Sequence, residues 1–248
     1  MTLLQRYQSL PDSIKPVAKR LFLFSKWCWN WIAILLLPYK KNINVHLGCG
    51  DEKKTGFVNI DIRTTVATDY SVDLNHLRSF APGSVRTFYS HAFFEHLYRT
   101  QRVEHLKGVF RALTDNGVCC YIGLPYFPNI ARYYLEKRKP GIVGERFDLF
   151  NVYRYTHGDP EHAPTWWLDQ LHKSLFDEEE LSAVLDGAGL TSNVLFVYCC
   201  VEEEGWYVSL GFYAKKGSHN IQTLKTEAKE FLHHHARNKV ILDTVNFF

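Results

Sequence analysis

The chain contains no CxxC pair and no histidine–cysteine spacing of a structural zinc site. Its six cysteines are Cys28, Cys49, Cys119, Cys120, Cys199 and Cys200, and the two adjacent pairs fall inside apolar, strand-like runs. They read as buried thiols of a reducing compartment, so a cytoplasmic protein is expected. Long runs of Lys and Arg interleaved with aromatics are also missing, and the formal charge is only +3, from 29 basic and 26 acidic side chains. That balance argues against a nucleic-acid partner.

A spanning helix needs about 20 predominantly apolar residues. The apolar stretch from Leu21 to Leu37 is shorter and carries Lys26 and Asn30. No small-residue cleavage site follows before Pro38, so a secretory leader fits poorly. Trp27, Trp29 and Trp31 sit among aliphatics, with Lys19, Arg20, Lys40 and Lys41 at the two ends. Such a segment suits a helix lying peripherally on the inner face of a membrane. A helix packed on the domain or on a second subunit is the alternative.

What is present is enough apolar material, 46% of 248 residues, for one substantial core. After Lys41 the pattern alternates strand with helix, as in a parallel sheet covered on both faces. Strands are expected at Ile43 to Leu47, Phe57 to Ile62, more weakly Ala67 to Val72, Val85 to Ser90 and Val118 to Leu124. A helix is predicted from Phe94 to Leu113, stopping at Asp115-Asn116-Gly117, and another is opened by the acidic run after Phe176. Two last strands, Thr191 to Val201 and Trp206 to Lys215, predict an antiparallel hairpin. The expected organisation is an N-terminal helical segment over 1–41, an α/β domain over 42–217 with a substrate-covering insertion at 126–172, and a peripheral helical tail over 218–248.

The stretch from Asn42 to Ile62, NINVHLGCGDEKKTGFVNIDI, is the most informative. A strand running into Gly48-Cys49-Gly50 puts glycines where the chain turns sharply and a ligand approaches its backbone. The next strand ends at Asp61, a carboxylate able to accept both hydroxyls of a ribose. A dinucleotide site would need a third glycine at position 53, which is Lys53, and a helix behind it. Only Asp51 to Gly56 lie between the turn and the second strand, too few for a typical helix of about 11 residues. A pyrophosphate would then lose the helix N-terminus that stabilises it.

The strings HLGCG, GFVNIDI, VDL (Val72 to Leu74) and SHAFFEHL (Ser90 to Leu97), in that order, resemble the methyltransferase-11-like group of class I S-adenosylmethionine-dependent methyltransferases. FRALTDNGVCCYIGLP and HKSLFDEEELSAVLDGAGL extend the resemblance over roughly residues 43 to 215. Where many relatives have Lys-Pro-Gly-Gly, this chain has Thr114-Asp115-Asn116-Gly117, a change confined to a structural turn. The resemblance implies a Rossmann-like methyltransferase fold, a mostly parallel sheet with a C-terminal antiparallel hairpin, and S-adenosylmethionine as methyl donor. It also implies that Gly48, Cys49 and Gly50 border the methionine part, Asp61 and Ile62 the ribose, Asp73 and Leu74 the adenine, and Ser90 and His91 the floor beneath the sulfonium.

A sulfonium is already an activated donor, so the protein has mainly to place an acceptor and receive its proton. His91, His172 and His96, in that order, are the candidate bases. Asp73 and Glu95 also suit helix-capping positions. Of the insertion's His157, Asp159, Glu161, His162 and His172, none shows recognisable ligand spacing, so no metal is expected; His233-His234-His235 point three ways on a helix. The expected function is methyl transfer to a hydroxylated small molecule or glycan, and the resemblance implies surface-polysaccharide synthesis as its setting. An aminopropyl transferase on the same scaffold, or an assembly protein that binds the donor without catalysis, are the alternatives.

Overall fold

The computed structural model describes residues 11, 13–75, 77–136, 147–158, 171–201 and 206–248. Its centre is a sheet of eight strands: β1 (Ile43–Leu47), β2 (Val58–Asp61), β3 (Tyr70–Ser71), β4 (Val85–His91), β5 (Leu113–Pro125), β6 (Asn193–Tyr198), β7 (Ser209–Lys215) and β8 (Asn246–Phe247). They lie in the order β3-β2-β1-β4-β5-β7-β6-β8. The first five are parallel, whereas β7 runs antiparallel to both β5 and β6. The sheet is Rossmann-like and mostly parallel, with the antiparallel pair β6–β7 as expected. Strand order reverses between β1 and β4, and ligands of such sheets bind at the carboxyl ends of the strands at that switch point.

One face carries α2 (Arg99–Ala112) and α5 (Glu178–Gly187), whose Leu106, Val109, Leu181 and Leu185 pack into the larger core with Val45, Leu47, Phe88 and Cys119. The Asp177 side chain caps α5 by accepting the Glu180 N–H, and Glu178, Glu179 and Glu180 suit its positive end. The helix predicted from Phe94 is interrupted: a 3-10 turn over Phe94–His96 precedes α2, which ends at Ala112. Residues 113 to 117 belong to β5, and an irregularity in its pairing with β4 absorbs them.

No helix connects β1 to β2. The sheet face it would cover is taken by α6 (Ile221–His235), far along the chain. Leu224, Ala228, Phe231 and Leu232 recur on one stripe and pack on Tyr89, Cys120, Phe196 and Tyr213. The expectation of a peripheral tail is therefore corrected, since α6 covers one of the buried hydrophobic clusters of the sheet. Its C-terminal carbonyl at His235 accepts the Lys54 ammonium from the β1–β2 connection, and β8 then extends the sheet beyond β6.

The N-terminal helix α1 (Lys15–Leu36) runs along the β3 edge. Lys26 donates to the carbonyls of Thr65, Val66 and Thr68, and Asn30 exchanges two hydrogen bonds with the Ser71 backbone, at 2.9 and 2.8 Å. The two polar residues that interrupt the apolar stretch are thus its docking residues. Among the described residues no helix is long and apolar enough to cross a membrane. All six cysteines are free thiols.

Candidate functional site

At the switch point the backbone leaves β1 through Gly48 and Gly50, both left-handed at φ 64° and 52°. A Cβ at Gly48 would stand 2.6 Å from the Phe93 Cβ, so the position excludes any side chain on two counts. Asp61, at the end of β2, is buried and orders this turn: Oδ2 accepts the Gly50 N–H at 2.8 Å and Oδ1 the Arg63 N–H at 2.9 Å. Each oxygen keeps a further lone pair for a ligand hydroxyl.

These residues line a cleft of about 420 Å³ whose walls also include Ile62, Arg63, Asp73, Leu74 and Asn75. Ile62 is 60% exposed beside Asp61, an aliphatic surface turned toward solvent within a polar rim. Asp73 accepts the Asn75 N–H within a turn that no helix follows among the described residues, so it caps no helix, and its carboxylate remains on the wall. Below Leu74, the buried His105 ties the Leu74 carbonyl to the Tyr121 hydroxyl of β5.

The opposite wall comes from the chain after β4. Ala92 adopts φ 50°, a left-handed conformation uncommon for a residue with a Cβ, and sends Phe93 toward Gly48. His96, Leu97, Tyr98, Gln101 and Lys173 complete this side. Backbone bonding brings residue 173 there: the Lys173 N–H donates to the Glu95 carbonyl at 2.8 Å, and Ser174 Oγ to the Leu97 carbonyl at 2.8 Å.

The sequence-derived residues divide accordingly. Gly48, Gly50, Asp61, Ile62, Asp73, Leu74 and His96 line the cleft, whereas Cys49, Ser90, His91 and His172 are not among its lining residues. Cys49 is turned inward toward Thr68, and burial pushes its thiol up to about 12, which keeps it protonated and unreactive. Ser90 Oγ donates to the Leu47 carbonyl at 3.2 Å and is a strand-pairing residue. His91 ends β4 with its ring near Gly123, away from the lining. Alternation along the strand explains this, because His91 shares the face of Tyr89, which packs under α6.

His172 instead meets His96, with ring centroids 5.2 Å apart. The His96 Nδ1 faces the Leu171 carbonyl at 3.1 Å and the His172 Nδ1 faces the Tyr155 carbonyl at 2.8 Å, at the last turn of α4 (Leu149–His157). Carbonyls only accept, so both Nδ1 atoms carry the proton and both Nε2 atoms present a lone pair. Burial drives His96 down to about 4 and His172 in the same direction. Glu95, fully buried beside them, is pushed up to about 8 by burial. Burial thus favours the neutral form of both groups in the 3.7 Å contact between Glu95 Oε1 and His96 Nε2. Asp159, Glu161 and His162 lie outside the described residues.

Sequence reasoning missed Arg63, Asn75, Phe93, Tyr98, Gln101 and Lys173. The first two follow named motif residues directly, a usable signal; Gln101 and Lys173 reach the cleft only through the fold.

No protein-family model and no curated protein matches the chain. Among solved structures it is similar to a SAM-dependent methyltransferase of Methanosarcina mazei, with 18% identity over 73% of this chain and 94% of that one and a TM-score of 0.46. A SAM-dependent methyltransferase of Archaeoglobus fulgidus shares 13% identity over 80% and 94%, with a TM-score of 0.46. A Haemonchus contortus phosphoethanolamine N-methyltransferase, in complex with phosphomonomethylethanolamine and S-adenosylhomocysteine, shares 14% over 77% of this chain and 53% of that one, with a TM-score of 0.44. The likeness is one of fold.

Proposed function

We propose that the cleft binds S-adenosylmethionine and that the chain transfers its methyl group to a hydroxylated small molecule or glycan. The observation that carries this reading is the buried Asp61 carboxylate, fixed against the Gly48–Gly50 turn at the switch point of the sheet with one lone pair spare on each oxygen. Two ribose hydroxyls match those lone pairs, Ile62 offers an apolar surface for the adenine, and Asp73-Leu74 lie on the same wall. The absence of a helix between β1 and β2 weighs against a dinucleotide, whose pyrophosphate needs a helix N-terminus. An aminopropyl transferase would want an acidic pocket for its polyamine, whereas here Asp61 and Asp73 are balanced by Arg63 and Lys173.

Attack by an acceptor oxygen on the methyl carbon leaves the S–C electron pair on sulfur and releases the acceptor's proton. The residues that orient this attack are those of the wall opposite Asp61, with Tyr98, Gln101 and Lys173 as hydrogen-bonding groups toward a hydroxylated acceptor. Control of the acceptor's proton belongs to the cluster of Glu95, His96 and His172, because His96 lines the cleft and His172 and Glu95 stand directly behind it.

The outer surface of α1 supports contact with an anionic membrane surface. Val17 and Leu21 are exposed one turn apart, and Lys19 and Arg20 are exposed beside them. Docking through Lys26 and Asn30 leaves that surface outward, and a role in surface-polysaccharide synthesis is consistent with it.

Calorimetric titration with S-adenosylhomocysteine, followed by labelled-methyl transfer to a panel of sugars and small alcohols, tests the reading. Binding with turnover supports it. Binding without turnover on any acceptor favours the non-catalytic assembly protein, and a folded protein that binds NADH but neither S-adenosyl compound overturns it.

A further inference from the structure

We infer that Glu95, His96 and His172 hold a divalent transition-metal ion of the zinc or ferrous class at the edge of the cleft. One ligand atom from each lies within 4.8 Å of the others. The Glu95 Oε1 to His96 Nε2 separation of 3.7 Å is close to the edge, about 3.3 Å, of a tetrahedron with zinc–ligand bonds of 2.0–2.1 Å. Both imidazoles give their Nδ1–H to a backbone carbonyl, which fixes the rings and leaves Nε2 for an ion. Outer hydrogen bonds of this kind orient the histidines of metal sites. Glu95 supplies the independent observation: it is 0% exposed, and neither carboxylate oxygen has a hydrogen-bond partner among the described residues. A buried carboxylate left that way is unusual unless something pairs with it.

The donor set selects the ion. Two imidazoles with one carboxylate suit zinc or ferrous iron, whereas calcium and magnesium take oxygen ligands. Three protein ligands leave coordination positions open, and His96 lies on the cleft wall, so those positions are reached from the cleft. The sequence expectation of no metal looked for spacing within the insertion. The ligands come instead from the β4–α2 connection and, more than 70 residues later, from the end of the insertion, joined through the Lys173–Glu95 backbone bond.

The ion's part in chemistry rests on the methyl-transfer reading. Bound to the ion, an acceptor hydroxyl loses its proton to water more readily; the C–O bond then forms as the S–CH₃ bond breaks, with the electron pair staying on sulfur.

The test uses the full chain carrying His233→Ala and His234→Ala, so that exposed histidines do not contribute, after chelator treatment. Titration with Co²⁺ is expected to give one equivalent with visible ligand-field bands, displaced by Zn²⁺. His96→Ala and His172→Ala should each weaken Zn²⁺ binding by more than about 100-fold. Glu95→Gln, which keeps the shape but cannot become a carboxylate ligand, should weaken it while keeping the fold. Absence of stoichiometric Co²⁺, or bands that persist in both histidine variants, overturns the site. S-adenosylhomocysteine affinity measured on the metal-free protein separates the two readings: donor binding with no metal binding sinks only this inference, and the reverse sinks only the donor assignment.

Discussion

The Asp61 carboxylate accepts the Gly50 N–H at 2.8 Å, so one side chain both shapes the glycine turn and presents itself to a ligand beside it. Asp61→Ala should lower S-adenosylhomocysteine affinity by about 10- to 150-fold, the equivalent of about 1.5–3 kcal/mol for a hydrogen bond to a charged group. It should also lower the melting temperature, because the Gly50 and Arg63 N–H groups lose their acceptor. Asp61→Asn retains one oxygen and should fall between. Calorimetry on the folded variants decides, and unchanged affinity in Asp61→Ala would remove the donor assignment.

Gly48→Ala introduces a Cβ at a left-handed residue, 2.6 Å from Phe93. A loss of about 1–3 kcal/mol of stability is expected, together with loss of donor binding. Adding Phe93→Ala should recover the steric part of the stability and not the conformational part. Urea unfolding of the single and double variants measures both, and a Gly48→Ala protein as stable as the parent contradicts the account.

Burial lowers the His46 imidazole from 6.5 to about 4, against a hydrogen bond to Asn59 that raises it. The unfolded chain therefore binds the proton more tightly. His46's contribution is fully present above pH 6.5 and is lost as pH falls through 4, on the order of 3 kcal/mol in all. In His46→Gln the urea midpoint should fall less between pH 7 and pH 4.5 than in the parent. Parallel pH curves for the two proteins would refute this.

Asn30 satisfies a donor and an acceptor of Ser71 on the sheet edge. Asn30→Ala should cost about 1–3 kcal/mol and make α1 more accessible to proteases. Val17→Asp with Leu21→Asp, on the exposed surface of the same helix, should leave the melting temperature unchanged and abolish flotation with anionic vesicles. Equal flotation of this variant and the parent would remove the membrane contact.

The sheet and the wall that contains Asp61 were legible because they are local. A strand of alternating or continuous apolar residues, a glycine where backbone must turn, and a carboxylate at the next strand end all sit within Asn42 to Ile62, and the physics of each acts over a few residues. The same stretch is too short to hold a helix between β1 and β2. Its residue pattern could not say what covers the exposed sheet face in its place. That was decided by α6, whose apolar stripe is visible in sequence but whose packing partners, from Tyr89 to Tyr213, are scattered over four strands.

His91 shows the complementary failure. Its place at a strand end pointed to the cleft, but the two-residue alternation of β4 and the left-handed turn at Ala92 direct it to the other face. Glu95, His96 and His172 were each visible as residue types without any spacing to link them. Their meeting depends on one backbone hydrogen bond between distant segments and on two carbonyls that set the imidazole tautomers. The sequence by itself determined the strand order's local units, the glycine turn and the carboxylate beside it, all through short-range steric and hydrogen-bonding preferences. Only the tertiary structure decided which histidines meet beside the cleft and which helix closes the core, because those outcomes follow from packing between segments that no local pattern connects.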